Sequence, residues 1–234
     1  MNQASKHPGV RSPARSRRWL KALVALGVLA VAAVMFVRTI RTMLSEPYTL
    51  PAADLRGWTL AFAEGTGPTD PYLVLRGPPD IAVTLSHQLF KRSMESLSTP
   101  AVPVVPLLLR GEFDRSFAGH MAPDALLAAA RNAGLGGRPL VPRCLAYRRN
   151  SVVGSTRQLF YLLFDMPAFA QFRHVLADRA VGVGAVAYDP LSLSPALVIA
   201  TAQSNAEDWS PLAANETADC KAPVTVEAGR AGNP

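Results

Sequence analysis

The chain has 234 residues, of which 49% are hydrophobic and 18% are charged. This composition excludes a disordered polyampholyte, because it supplies enough apolar surface to offset the entropy cost of folding. A single long apolar run excludes a polytopic transporter, and the two cysteines exclude a disulfide-dense mini-protein and a four-cysteine zinc site.

The net charge of +7 comes from the N-terminal end of the chain. Eight of the 24 Lys and Arg residues lie in the first 41 positions, and no acidic residue precedes Glu46. The rest of the chain therefore holds 16 basic against 17 acidic residues and is close to neutral. Because a nucleic-acid-binding domain carries a concentrated basic face, we expect no nucleic-acid partner.

The apolar run, Ala22 to Val37, contains no charged residue. As a helix it would be about 24 Å long, and its apolar flanks extend it toward the roughly 30 Å of a bilayer core. We predict a transmembrane signal-anchor helix over residues 19–44, after a basic, disordered cytoplasmic tail over residues 1–18. The membrane-flanking residues, whose side chains can reach the headgroups, are Arg17, Arg18, Trp19, Lys21, Arg38 and Arg41.

The orientation follows from the larger number of basic residues before the apolar run. The positive-inside rule then predicts a single-pass protein of the bacterial inner membrane, with its N-terminus in the cytoplasm and its C-terminal domain in the periplasm. Two other interpretations stay open. Ala30-Val31-Ala32 fits the cleavage site of a secretory signal peptide, and Arg17-Arg18 fits a twin-arginine signal.

After a linker over residues 45–57, we predict one extracytoplasmic α+β domain over residues 58–220 and a disordered tail over residues 221–234. Two short strands, 58–63 and 72–75, precede a helix from Pro79 to about Leu97. Residues 104–113 contain a further strand. The core stripe predicted for the helix from its spacing consists of Leu85, Leu89, Phe90, Met94 and Leu97.

In the second half of the domain, predicted helices and strands continue to alternate. A helix begins at Pro123 and ends at Gly134, and strands over 140–149 and 157–165 pair as an antiparallel hairpin. The second of these strands is apolar on both faces, so we place it in the middle of the sheet. A third helix begins at Pro167, and a last strand covers 196–202. The fold class is thus α+β, with a mostly antiparallel sheet and about three helices.

Cys144 and Cys220 are 76 residues apart. Two cysteines of an exported domain usually pair, so we predict a structural disulfide that holds the C-terminal segment to the sheet. Free buried thiols and a redox-active pair remain alternatives, although the chain has no Cys-x-x-Cys motif.

Catalytic signals are weak. The chain has no Gly-x-Ser-x-Gly, no Ser-x-x-Lys and no histidine pair at metal-ligand spacing, so we expect neither a metal nor a cofactor. Four side chains remain as candidates for a hydrolytic site, and His120 is foremost among them because it lies in a loop, where catalytic residues are common. The candidates are His120, Asp114, Glu112 and His174.

These observations lead to two hypotheses about function. The first is a membrane-anchored accessory protein, whose exported domain is a non-catalytic interaction or assembly module of an envelope complex. Its partners would be the lipid bilayer and an envelope protein. The alternative is a membrane-tethered periplasmic enzyme, a hydrolase with a site around His120.

Overall fold

A computed structural model describes residues 23–35, 45–152, 155–185, 188–202, 214 and 216–228. The chain divides into two compact units, Met1–Met43 and Leu44–Pro234.

The described part of the first unit is a helix over residues 23–35, and every residue of it is exposed. None of the helices in the described ranges is long and apolar enough to cross a membrane, so the predicted transmembrane helix over 19–44 is wrong. The membrane-flanking residues Arg17, Arg18, Trp19, Lys21, Arg38 and Arg41 lie outside the described residues.

The second unit is built from short strands and helices. Its strands are β1 (Tyr48–Pro51), β2 (Thr59–Phe62), β3 (Pro71–Arg76), β4 (Val104–Leu109), β5 (Val141–Val152), β6 (Ser155–Asp165), β7 (Ala196–Ala202) and β8 (Cys220–Glu227). Its α-helices are α1 (Asp80–Ser93), α2 (Arg110–Ser116), α3 (Pro123–Asn132), α4 (Pro167–Gly182) and α5 (Glu216–Asp219), and a 3-10 helix covers Ala52–Leu55.

The strands form two sheets. One is a curled five-stranded sheet with the order β1-β8-β5-β6-β7, and the other is three-stranded with the order β2-β3-β4. Strands β1 and β8 are parallel, and the other paired strands are antiparallel. The α+β class with mostly antiparallel pairing is therefore confirmed. The prediction of about three helices is wrong, because α2 and α5 bring the number of α-helices in this unit's described part to five.

The helix α2 was missed because it follows β4 without a turn. Leu109 ends the strand, and Arg110 already begins the helix. The carboxylate of Glu112 accepts a hydrogen bond from the Leu109 amide at 2.9 Å, which closes the first turn of α2 as in a capping box. Gly111, the second residue of the helix, is a poor helix former, so the local sequence at this boundary does not favour a helix.

Two strands lie where the sequence predicted a linker and a tail. Strand β1 falls within residues 45–57, and most of β8 falls within residues 221–234. The register pairs Tyr48 with Val224 and Leu50 with Val226. Strand β8 alternates apolar and polar residues from Cys220 to Glu227, but β1 has only four residues, so its own pattern is too short to distinguish a strand from a linker. Their pairing with one another explains why both segments are ordered.

The sequence placed β6 in the middle of the sheet, and the structure shows it as an interior strand of the larger sheet, beside the central strand β5. Strand β6 pairs with β5 on one side and with β7 on the other. Every residue from Leu159 to Phe164 is buried. The main core covers one face of β6, and a smaller apolar cluster that includes Cys144 and Tyr161 covers the other. A strand with both faces covered needs the continuous apolar sequence seen here.

The helix α1 protects the outer edge of β1. The Gln88 side chain accepts a hydrogen bond from the Thr49 amide at 3.0 Å and donates one to the Thr49 carbonyl at 2.7 Å, as a neighbouring strand would. Arg92 donates to the carbonyls of Glu46 and Pro47 and lies over the ring of Tyr48. These contacts satisfy backbone groups that would otherwise offer a pairing edge to another chain.

Gly77 lies where the core leaves no room for a side chain. A Cβ atom at this position would meet three atoms of the buried Trp58 ring at 2.5 to 2.8 Å. The ring is also held in place from another side by an edge-on contact with Phe164. We therefore expect Gly77→Ala to lower the free energy of unfolding by about 1–3 kcal/mol.

Urea denaturation of the full chain measures this effect. The matched control is Gly182→Ala at the end of α4, where an added Cβ meets nothing within 4 Å. Equal stability of the two variants would contradict the close packing of Trp58 on Gly77.

Candidate functional site

The most deeply buried charged side chain in the described ranges is Arg173, which is 0% exposed. It lies in the middle of α4, next to Phe172, on the face that packs into the core. The polar residues around it come from α2 and from the loop that follows α4. We call this group the Arg173 cluster; it consists of Glu112, Arg173, Asp189, Pro190 and Ser192.

A two-pronged ion pair forms the centre of the Arg173 cluster. The Arg173 Nη2 donates to Glu112 Oε1 at 2.7 Å, and Nη1 donates to Oε2 at 3.2 Å. Such paired hydrogen bonds are the strongest that a guanidinium and a carboxylate form. The pair therefore joins α2 to α4 across the core, over a sequence separation of 61 residues.

The remaining polar atoms of the ion pair are also satisfied. Arg173 donates to the carbonyl oxygens of Pro190 at 2.8 Å, Asp189 at 2.7 Å and Leu107 at 3.2 Å. The hydroxyl of Ser192 donates to Glu112 Oε1 at 2.7 Å and accepts from Arg173 at 2.8 Å. The cluster thereby fixes the loop after α4 to the body of the domain.

The protonation states argue against acid-base chemistry in the Arg173 cluster. Burial alone would raise the pKa of Glu112, but the hydrogen bonds and charge of Arg173 outweigh burial and lower that pKa below its ordinary 4.5. Glu112 is thus ionised at neutral pH, and its oxygens already accept hydrogen bonds from Arg173, Ser192 and the Leu109 amide. A general base needs a free lone pair within reach of a substrate proton. We conclude that the Arg173 cluster is a structural clamp.

Tyr188 completes the apolar side of the Arg173 cluster. The Tyr188 ring packs edge-on against Phe117, with 5.2 Å between the two ring centroids. The Arg173 guanidinium lies 4.9 Å from the centroid of the Tyr188 ring. Burial raises the pKa of Tyr188 above its ordinary value of 10.0, so the phenol stays neutral. It supplies packing and a cation-π contact to the guanidinium.

The four catalytic candidates differ in burial. Glu112 is buried and engaged with Arg173, whereas Asp114, His120 and His174 are exposed side chains. In the described ranges, no three His, Cys, Asp or Glu residues are placed to hold a metal ion. Sequence analysis missed Arg173, although an arginine directly after Phe172 in an apolar helix stripe was a signal of a buried ion pair.

The predicted disulfide between Cys144 and Cys220 is confirmed, with the two Cα atoms 5.7 Å apart. A second polar group lies beside it. Asp219 accepts a hydrogen bond from the Tyr161 hydroxyl at 2.7 Å and forms an ion pair with Arg148 at 2.6 Å. Burial, followed by the hydrogen bond to Asp219, raises the pKa of Tyr161, so its hydroxyl remains a donor. Together, these contacts fix the start of β8 against β5 and β6.

The helix α1 presents apolar side chains to solvent. Its inner face, which includes Ile81, Leu85 and Leu89, is buried as the sequence predicted for the two leucines. Phe90 and Met94, predicted as core residues, are instead 52% and 78% exposed.

The exposed residues of α1 fall on one side of the helix, opposite the core. Within the helix they include Val83, which is 47% exposed, His87 and Phe90, and Met94 follows directly after the helix ends at Ser93. The four residues are separated by four, three and four positions. This is the spacing of a stripe along which two helices pack. We call these four residues the outer face of α1.

Comparisons of the chain with protein-family models, with curated proteins and with solved structures find no match.

Proposed function

We propose that this chain is exported from the bacterial cytoplasm and that its second unit is a non-catalytic interaction module of an envelope complex. The observation that carries the proposal is the outer face of α1. Its apolar residues Val83, Phe90 and Met94 are exposed and do not pack into the core, which the opposite side of the helix already fills. Exposed apolar side chains that share one surface are typical of protein interfaces.

The chemistry of the buried polar groups supports a binding role over a catalytic one. In the Arg173 cluster, the carboxylate and the guanidinium bind one another and the surrounding backbone. Asp114, His120 and His174 are exposed side chains. A hydrolytic site needs a nucleophile or base and an orienting group within hydrogen-bond reach of each other.

The proposed location is supported by the disulfide and by the N-terminal region. Cys144 and Cys220 are paired, and such bonds persist in oxidising compartments such as the periplasm. Residues 23–35 expose apolar side chains, and basic residues precede them in the sequence. This order is typical of segments that contact lipid or an export machinery. The lipid bilayer and an envelope protein are the partners that we propose.

Site-specific photo-crosslinking in living cells tests the proposal. The full chain would carry a photoreactive amino acid in place of Phe90. The matched control would carry it in place of Val181, an apolar residue of α4 that is 78% exposed and lies outside the outer face of α1. We expect a discrete protein crosslink from position 90 and none from position 181. Absence of any crosslinked protein at position 90, in a chain that folds and forms its disulfide, would overturn the proposal.

A further inference from the structure

The outer face of α1 has a charge at each end. Asp80 is exposed in the first turn of the helix, and Lys91 is exposed in the last turn. The other cation of the last turn, Arg92, is directed to the carbonyls of Glu46 and Pro47 on the inner side. The outer face is therefore acidic at its N-terminal end, apolar along its length and basic at its C-terminal end.

This arrangement is complementary to itself. When two copies of α1 lie antiparallel, a two-fold axis places the N-terminal end of each helix beside the C-terminal end of the other. Asp80 of one copy then lies beside Lys91 of the second copy, at both ends of the contact. A parallel arrangement would instead place Asp80 beside Asp80 and Lys91 beside Lys91. The antiparallel arrangement also opposes the two helix dipoles favourably.

The apolar residues follow the same symmetry. With His87 of the two copies near the axis, Val83 lies beside Phe90 and Met94 of the second copy, and the reverse contact forms on the other side of the axis. Met94, the C-cap residue of α1, has a left-handed backbone with φ of 55°, so Glu95 lies beyond the end of the helix.

We propose that the outer face of α1 binds a second copy of this chain, with the two α1 helices antiparallel. This inference rests on the proposed function and names the partner of the same surface. A standard protein interface buries about 800 Å² on each partner, and one stripe of four side chains covers less than that. The dimer is therefore concentration-dependent rather than permanent.

Sedimentation of the full chain over a range of concentrations tests the contact. The wild-type chain is expected to dimerise, and the Phe90→Ser/Met94→Ser variant is expected to dimerise at least about tenfold more weakly, because buried aromatic anchors dominate small interfaces. The Val181→Ser control removes an equally exposed apolar residue elsewhere and is expected to leave the dimer unchanged. A wild-type dimer that the Phe90→Ser/Met94→Ser variant does not weaken would overturn the inference.

A charge exchange tests the antiparallel arrangement. Asp80→Lys alone and Lys91→Asp alone each place like charges at both ends and are expected to weaken the homodimer. When the two single variants are mixed, the lysines at positions 80 and 91 of the Asp80→Lys chain lie beside the aspartates at positions 91 and 80 of the Lys91→Asp chain. A heterodimer as stable as the wild-type homodimer is therefore expected. Thermal unfolding of each variant separates this effect from loss of the fold. Failure of the mixture to recover association would overturn the antiparallel pairing.

Sedimentation and crosslinking at position 90 together distinguish failure of the dimer from failure of the proposed function. A chain that stays monomeric at every concentration, while position 90 crosslinks to a different envelope protein, would overturn the second copy as partner and would leave the interaction module in place. A monomeric chain without any crosslink at position 90 would overturn both.

Discussion

Replacing Arg173 by methionine is expected to lower the free energy of unfolding by about 3–5 kcal/mol, the usual cost of removing one partner from a buried ion pair. The change leaves the carboxylate of Glu112 buried without its cation. It also removes the donor from the carbonyl oxygens of Leu107, Asp189 and Pro190. Urea denaturation at pH 7 measures the loss. The control, Arg179→Met, removes an exposed arginine of the same helix and is expected to change stability by no more than about 0.5 kcal/mol.

The effect of Arg173→Met should depend on pH in a defined direction. In the wild-type chain the folded-state pKa of Glu112 is lowered below 4.5, so its contribution to stability is present above that pH and is lost as the pH falls through the folded-state pKa. Without Arg173, burial dominates and raises the folded-state pKa of Glu112. The variant then loses stability as the pH rises through this raised pKa. The difference between the two proteins is therefore largest at pH 7 and becomes smaller toward pH 4.

Two further variants distinguish a clamp from simple packing. Arg173→Lys keeps a cation but loses the planar fork, so it is expected to lie between the wild type and Arg173→Met. The double variant Arg173→Met/Glu112→Gln removes the uncompensated charge and is expected to be more stable than Arg173→Met alone. If the stability loss of the double variant equalled the sum of the losses of Arg173→Met and Glu112→Gln, the two residues would not be coupled.

Local sequence patterns predicted the centre of this fold better than its edges. The apolar run of β6 indicated an interior strand, because a strand that is apolar at every position has both faces covered, and β6 does lie between β5 and β7. Strands β1 and β8 have no such pattern, and their order comes from pairing across 176 residues, from Tyr48 to Val224. No local window of the sequence contains both partners.

The helix α1 illustrates a different error. The predicted core stripe included both Leu89 and Phe90, but neighbouring residues of a helix point about 100° apart, so both rarely face the same core. Leu89 is buried and Phe90 is exposed. The second apolar stripe, through Val83, Phe90 and Met94, was thus readable from the spacing alone once the first stripe was restricted to Ile81, Leu85 and Leu89.

The disulfide and the Arg173 cluster also differ in how far the sequence alone could predict them. The disulfide was predictable because two cysteines allow one intramolecular pairing, whatever the fold. The Arg173 cluster was not predictable, because Glu112 and Arg173 lie in separate helices 61 residues apart and Glu112 is one of 17 acidic residues that could have paired with Arg173. Residue type alone sufficed for the first site, whereas the second required the topology.

Removing the disulfide is expected to cost a similar amount of stability. In the chain-entropy description, a bridge that closes a loop of this length contributes about 4.5 kcal/mol, and measured values are often smaller. We expect Cys144→Ala/Cys220→Ala to lower the free energy of unfolding by about 2–4.5 kcal/mol at pH 7. Urea denaturation with and without a reductant measures this loss. The double variant should not respond to the reductant, whereas the wild type should approach it when reduced.

The loss should be concentrated in the strands that the bridge anchors. Cys220 is the first residue of β8, and β8 in turn supports the parallel strand β1. In the double variant, amide hydrogens of β1 and β8 are expected to exchange with solvent sooner, while those of β6 stay protected until global unfolding. The ion pair of Asp219 with Arg148 is retained and limits the loss, so adding Asp219→Asn should accelerate exchange further. Uniform acceleration across β6 and β8 would instead mean that the bridge stabilises the domain only as a whole.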